Sequence, residues 1–151
     1  MMNKHKKDWL IFAILMILLV GGIAVRYVTV KQSQVNAANE ERRAQERVAL
    51  WVVQHYSGVE KIKVDKYKKP TWPAGNSDIF VHINNHMDDD QYSLGIGFVS
   101  NDGTADNVDH FLNPKYKLQI SYYMGNYQKE LQIKENYDKS RTLKDVKVVY
   151  K

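Results

Sequence analysis

One stretch of this chain, residues 9–25, contains no charged, Asn or Gln side chain and reads WLIFAILMILLVGGIAV. A helix rises about 1.5 Å per residue, so residues 9–27 would span roughly 27 Å, close to the hydrocarbon thickness of a bilayer. Trp9 and Tyr27 stand at the two ends, where amphipathic aromatic rings prefer the headgroup level. Each Leu, Ile, Phe or Val favours insertion by about 0.3–0.6 kcal/mol. We therefore predict a transmembrane helix over residues 9–27, with the membrane lipid bilayer as its partner.

The charges that flank this stretch predict its orientation. Lys4, Lys6 and Lys7 precede it, whereas Arg26 and Lys31 are the sparser basic residues that follow. The positive-inside rule places such an N-terminus in the cytoplasm. We expect a cell-membrane protein that crosses once, with residues 1–8 as a cytoplasmic basic stub and the C-terminal domain outside.

A cleaved signal peptide is the alternative, since Gly22 and Ala24 are small enough for a cleavage site. Two features argue against cleavage. Arg26 directly follows the candidate cleavage site, and the apolar run is longer than the 7–15-residue hydrophobic region of a typical signal peptide. These features favour an uncleaved anchor. The chain has no cysteine, which excludes a lipid-modified N-terminal cysteine.

The basic character of the chain resides mainly at its N-terminal end. The whole chain has 22 Lys and Arg against 17 Asp and Glu. Four of those basic residues and one of the acidic ones lie at or before Arg26, so the remainder carries only a small positive charge. That balance gives no reason to expect a nucleic-acid partner.

The sequence after the anchor divides into a short polar segment and one domain. Residues 28–38 predict a stalk or a helical continuation of the anchor, and residues 39–151 predict an extracytoplasmic α+β domain. Asn39 is a candidate N-cap for an amphipathic helix. Apolar residues then recur with helical spacing, and Gly58 suits the left-handed position after a helix. The members of this apolar face are Ala44, Val48, Trp51, Val52 and Tyr56. The charged residues from Glu40 to Arg47 predict a solvated face.

After Gly58 the apolar residues alternate, which is typical of strands. The predicted strands centre on Ile62 and Val64, on 79–83, on 92–98, on 116–122, on Leu131 and Ile133, and on 146–150. Turns join them, so we expect a five- to six-stranded antiparallel meander. The amphipathic helix must bury its apolar face, and the sheet is the available surface. The predicted fold class is thus α+β, with a cystatin-like architecture for the domain.

The segment QERVALWVVQHYSGVEKIKVDKYKKP, with IFVHINN after it, resembles a group of small uncharacterised domains in membrane-anchored proteins and lipoproteins of Gram-positive bacteria. The matching residues are His55, Tyr56, Val59, Ile62 and 79–85. The resemblance covers about a third of the chain, and its motifs are structural. It implies a membrane-associated domain and carries over no catalytic residue.

Two histidines four residues apart, His82 and His86, precede the run Asp88–Asp90 and invite a metal-site interpretation. His82 lies in a strand pattern and His86 in the loop after it, so the two imidazoles would converge only through a bend. Neither a Glu-x-x-His motif nor a cysteine pair completes a closed site. We therefore predict no metal site and no cofactor here but an exposed pair of histidines at the strand end, with a zinc site as the alternative.

Seven aspartates lie between Asp78 and Asp109 without any Lys or Arg among them. The loop that begins at Asp102 has the length of a calcium loop, but it has Asn107 where Gly is needed and Asn113 where Glu is needed. It therefore fails as an EF-hand. We expect solvated acidic loops, with a weak, irregular calcium site from Asp88–Asp90 or 102–109 as the alternative.

Gly95 and Gly97 share one face of a predicted strand, which favours close packing there over a ligand. Trp72, Tyr122, Tyr123 and Tyr127 are candidates for an aromatic binding surface. The six serines of residues 39–151 lack a Gly-x-Ser-x-Gly context, and no carboxylate pair is placed as glycosidases require.

We expect a non-enzymatic, membrane-anchored extracytoplasmic binding or regulatory module. Its candidate partners are another membrane protein, a cell-wall polymer or a second copy of the chain. The alternatives are an extracytoplasmic enzyme with a metal at His82, His86 and Asp88–Asp90, and an immunity or exclusion protein.

Overall fold

The computed structural model describes residues 4–67, 78–99, 111–123 and 127–151. They form an α+β structure that divides into two compact units, Met1–Ala38 and Asn39–Lys151. One long helix, α1, covers Lys4–His55. The helix therefore includes the segment 28–38, in agreement with a helical continuation of the anchor. The prediction of a helix start at Asn39 is wrong, because Asn39 lies inside α1 and caps no helix end.

The described part of the second unit contains strands and short helical turns. The strands are β1 (Tyr56–Ser57), β2 (Lys61–Val64), β3 (Ile79–Ile83), β4 (Leu94–Val99), β5 (Lys117–Tyr123), β6 (Lys134–Glu135) and β7 (Lys147–Tyr150). The turn α2 covers Tyr127–Glu130, and 3-10 turns cover Asn84–His86, Asp90–Tyr92 and Leu143–Asp145. Leu131 and Ile133 were expected in a strand, but they follow α2 and are buried without strand pairing.

The five-stranded sheet has the order β5-β4-β3-β2-β7. Strands β2 to β5 pair antiparallel in chain order, as the meander prediction requires. Strand β7 corrects that prediction, because it pairs parallel to β2, with Ile62 opposite Val148. Two parallel neighbouring strands need a long connection between them, so no short turn motif in the sequence predicts the pairing of β7 with β2. Strands β1 and β6 form a separate two-stranded sheet.

The hydrophobic core joins the end of α1 to one face of the sheet. Val48 and Val52 of α1 are fully buried in one cluster with Ile62, Val81 and Leu94 from three strands. The remaining fully buried members include Ala44, Ala49, Val64, Ile79, Ile83, Ile96 and Phe111. The predicted apolar face of the helix is thus buried with one exception, Trp51, which is only partly buried at the margin of the core.

Gly58 has a φ of +86°, the left-handed conformation that glycine tolerates best. Helix α1 already ends at His55, so Gly58 serves the turn between β1 and β2 and is not the helix cap. A Cβ atom at Gly58 would lie 2.5 Å from the carbonyl oxygen of Gln132. The close approach of these two backbone segments therefore requires glycine.

Candidate functional site

The structure places His82 and His86 in different surroundings. His82 lies in β3 with 1% of its surface exposed, so the expectation of an exposed pair is wrong for His82. Its Nε2 is 3.2 Å from Asp65 Oδ2. His86 lies in a 3-10 turn, where its ring centroid is 4.3 Å from that of Tyr92 and its Nδ1 is 3.8 Å from Asp89 Oδ2. Among the residues that the structure describes, no group of three or more His, Asp and Glu side chains could hold a metal ion.

The three aspartates of Asp88–Asp90 also have different partners. The Lys63 ammonium donates a hydrogen bond of 2.9 Å to Asp88 Oδ1, and this bond and the positive charge hold the pKa of the Asp88 carboxyl below its usual value of 3.8. Asp89 Oδ1 accepts a hydrogen bond from the backbone N–H of Gln91. Asp90 Oδ1 is 3.7 Å from His82 Nε2. With the Asp89–His86 pair, the run therefore makes four local contacts, and each aspartate has its own partners.

Sequence reasoning missed a polar cluster on the sheet face opposite α1. Lys63 of β2 lies beside His82 of β3 in the strand register, and both are buried. Two buried atoms of this cluster, His82 Nδ1 and Asp65 Oδ1, have no hydrogen-bond partner among the described residues. Lys63 gave no sequence signal, because an alternating lysine on a strand normally indicates an exposed face. Gly95 and Gly97 of β4 are buried too.

Several candidates lie outside the described residues. They are Trp72 and the calcium-loop residues Asp102, Asp106 and Asp109. The side chains of Tyr122, Tyr123 and Tyr127 also fall outside the description. Three serines of the second unit, Ser57, Ser93 and Ser140, are described in full, and none of the three has a hydrogen bond to a described histidine. Ser57 Oγ donates to the Lys134 carbonyl, Ser93 Oγ to the Asp90 carbonyl, and Ser140 Oγ to the Asp138 carboxylate.

The described residues form a groove of about 410 Å³. One wall is the flank of α1, with residues spaced three and four apart, so that they share one face of the helix. The other wall is the start of β5 and the residues just before it. The lining residues are Arg47, Leu50, Trp51, Gln54, His55, Pro114, Tyr116, Lys117 and Leu118. The volume lies within the range of small ligand sites.

Arg47 links the two walls of the groove at one end through hydrogen bonds. Its guanidinium donates to the carbonyl oxygens of Phe111, Asn113 and Tyr116. Partial burial lowers the pKa of the Arg47 guanidinium below its usual range. The expectation of a solvated face is therefore wrong for Arg47. The neighbouring Gln45 is 3% exposed and donates to the Val64, Asp65 and Lys151 carbonyls.

Aromatic rings form the other end of the groove wall. The rings of Trp51 and His55 stack with centroids 4.2 Å apart, and Tyr137 lies 4.8 Å beyond His55. His55 Nδ1 is 2.8 Å from the Trp51 carbonyl oxygen, which accepts its hydrogen bond. Because Trp51 and His55 stack on each other, they cover part of each other's ring faces. The groove offers shape, apolar contact and positive charge, which are the properties of a binding site.

No protein-family model matches this chain, and no curated protein or solved structure shows a significant match to it.

Proposed function

We propose that this chain is a single-pass membrane-anchored module that binds a partner on the outer face of the cytoplasmic membrane and catalyses no reaction. The observation that carries the proposal is the unequal exposure of apolar side chains. Residues 9–30 expose large apolar side chains throughout, for example Trp9 at 73% and Ile17 at 71%. In the described part of Asn39–Lys151, only Tyr137 and Val149 do so.

An apolar surface of that extent would be a liability in water, because soluble proteins rarely expose large contiguous apolar patches. Helix α1 is long and apolar enough to cross a membrane, by its length and composition, as an anchor or a signal sequence would be. Lipid around residues 9–27 would cover the exposed side chains. The second unit has its own hydrophobic core and does not need that cover.

The groove between α1 and β5 supports binding as the role of the second unit. As part of the same proposal, we retain the cystatin-like architecture for residues 39–151, because the end of α1 and the sheet share one core. The three lysines before residue 9 support an external location for this unit.

Labelling of single introduced cysteines tests this topology cleanly, because the natural chain contains no cysteine. The two variants are Asn3→Cys, before the anchor, and Lys144→Cys, at an exposed position of the second unit. A membrane-impermeant maleimide should label Lys144→Cys in intact cells and Asn3→Cys only after lysis. The cysteine-free parent is the control for background labelling. The reverse pattern, or labelling of neither variant until lysis, would overturn the proposed location.

A further inference from the structure

Strand β5 lies at one end of the sheet order, with β4 as its partner on one side. In the described part of the chain, no strand pairs with its other side. Such an edge presents backbone N–H and C=O groups that a further strand can pair with. The groove lies at the start of this edge, since Tyr116, Lys117 and Leu118 contribute its strand wall. An extended peptide on this edge would therefore enter the groove.

The charged side chains of the groove are basic, and its lining contains no carboxylate. Lys117 is exposed, and within the described residues it forms no salt bridge. The three hydrogen bonds of Arg47 go to neutral carbonyl oxygens, so its positive charge is not neutralised by them. An anionic ligand would supply the missing negative charge. The partly buried charge of Arg47 is screened less by salt than an exposed charge would be.

The aromatic residues favour a peptide over a sugar polymer. The rings of Trp51 and His55 are stacked on each other, so part of the ring surface that a sugar would cover is already used. Leu50 and Leu118 complete an apolar floor suited to one or two aliphatic side chains. In strand addition, main-chain hydrogen bonds supply affinity and pockets for alternate side chains supply specificity.

We propose that the groove binds an extended acidic peptide segment of a partner protein, which pairs with the open edge of β5 as an added strand. Lys117 at this edge repels a basic strand and attracts an acidic one, because opposite charges on neighbouring strands stabilise pairing and like charges destabilise it. This inference rests on the proposed binding function and names the chemistry of its partner.

A peptide library tests this inference on the full-length protein in detergent micelles. Random synthetic octapeptides are screened for binding, and the enriched sequences should combine Asp or Glu with alternating apolar residues. The best binder is then resynthesised with alternate backbone nitrogens methylated, which removes the hydrogen-bond donors of one strand edge. Methylation on the edge that faces β5 should weaken binding at least tenfold, and methylation on the opposite edge should not.

The variant Lys117→Glu should weaken the binding of the same peptide about tenfold. Lys144→Glu, a charge reversal away from the groove, should leave the affinity for the peptide unchanged. Enrichment of basic or neutral peptides, or no enrichment at all, would overturn the inference. Equal binding of both methylated peptides would overturn strand addition. Tighter binding of polygalacturonate, an anionic polysaccharide, than of the peptide would show that the groove is a glycan site. None of these results depends on membrane orientation, which the cysteine labelling measures separately.

Discussion

At the scale of single residues, Asn84 makes contacts that no sequence pattern announces. It has a φ of +54°, which asparagine tolerates better than most residues. Its Oδ1 accepts hydrogen bonds from the backbone N–H groups of Glu60 and Lys61, and its Nδ2 donates to the carbonyls of Gly58 and Leu131. One amide thus joins the end of β3 to the β1–β2 turn and to the segment before β6.

We expect Asn84→Ala to lower the free energy of unfolding by about 2–3 kcal/mol. Each lost hydrogen bond contributes roughly 1 kcal/mol, and backbone groups that water does not reach would be left without a partner. Pulse proteolysis of the full-length protein in micelles at increasing urea concentrations measures the change. Asn85→Ala, at the exposed neighbouring position, is the matched control and should change stability by less than about 0.5 kcal/mol. Equal losses in the two variants would contradict the role of the Asn84 amide.

Gln45 and Arg47 show why the contacts of individual polar side chains were hard to predict from the sequence. Helical spacing identifies apolar residues that share a face, but it treats polar residues beside them as solvated. The carbonyls that these two side chains bind lie between 19 and 106 residues away along the chain. Local sequence contains no information on such pairs. The groove was missed for the same reason, since its two walls are distant in sequence.

At the scale of elements, alternation was the informative signal. It located β2, β3 and β4 because each carries buried apolar or glycine residues at every second position, such as Ile79, Val81 and Ile83 of β3. It also located β5, where Leu118 is buried and Ile120 is partly buried. It failed at Leu131 and Ile133, where two buried residues at the same spacing flank Gln132, whose φ is +57°. A left-handed residue breaks the strand without removing the alternation. The sequence has no glycine at this position, so it does not predict the left-handed conformation.

The end of α1 gives a prediction at this scale. Val52 is fully buried, whereas Trp51 is partly buried at the groove. A fully buried tryptophan costs about 3–5 kcal/mol when it is replaced by alanine, so we expect Trp51→Ala to cost less, about 1–2 kcal/mol. Val52→Asp should prevent stable folding, because it would place a carboxylate without a partner in the apolar core.

Pulse proteolysis of both full-length variants in micelles checks this order of effects. Leu50→Ala, another change in the groove lining, is the control for loss of groove surface alone. A milder effect of Val52→Asp than of Trp51→Ala would mean that α1 presents a different face to the sheet.

At the scale of the whole molecule, α1 is the element that both units share. It includes Gly22 and Ala24, the candidate cleavage residues, and continues to His55. Cleavage after Ala24 would leave Val25 and Arg26 as the first residues of a shortened helix and would remove most of the apolar stretch. The remaining chain would keep the core of the second unit, whose members begin at Ala44. The two alternatives therefore differ in where the protein is found and in its mass.

We expect the cellular protein to remain in the membrane fraction after an alkaline carbonate wash, with the full mass of 17.6 kDa. The apolar residues of the anchor together favour insertion by several kcal/mol, and an arginine at the helix centre opposes it by about 2.5–3.5 kcal/mol. Replacing both Leu15 and Leu18 by arginine should therefore abolish most of the carbonate-resistant fraction. Replacing both by alanine is the matched control and should leave the protein in the membrane. A wild-type chain that begins at residue 25 and appears in the medium would show that the apolar stretch is a signal peptide, because an uncleaved anchor cannot release the second unit.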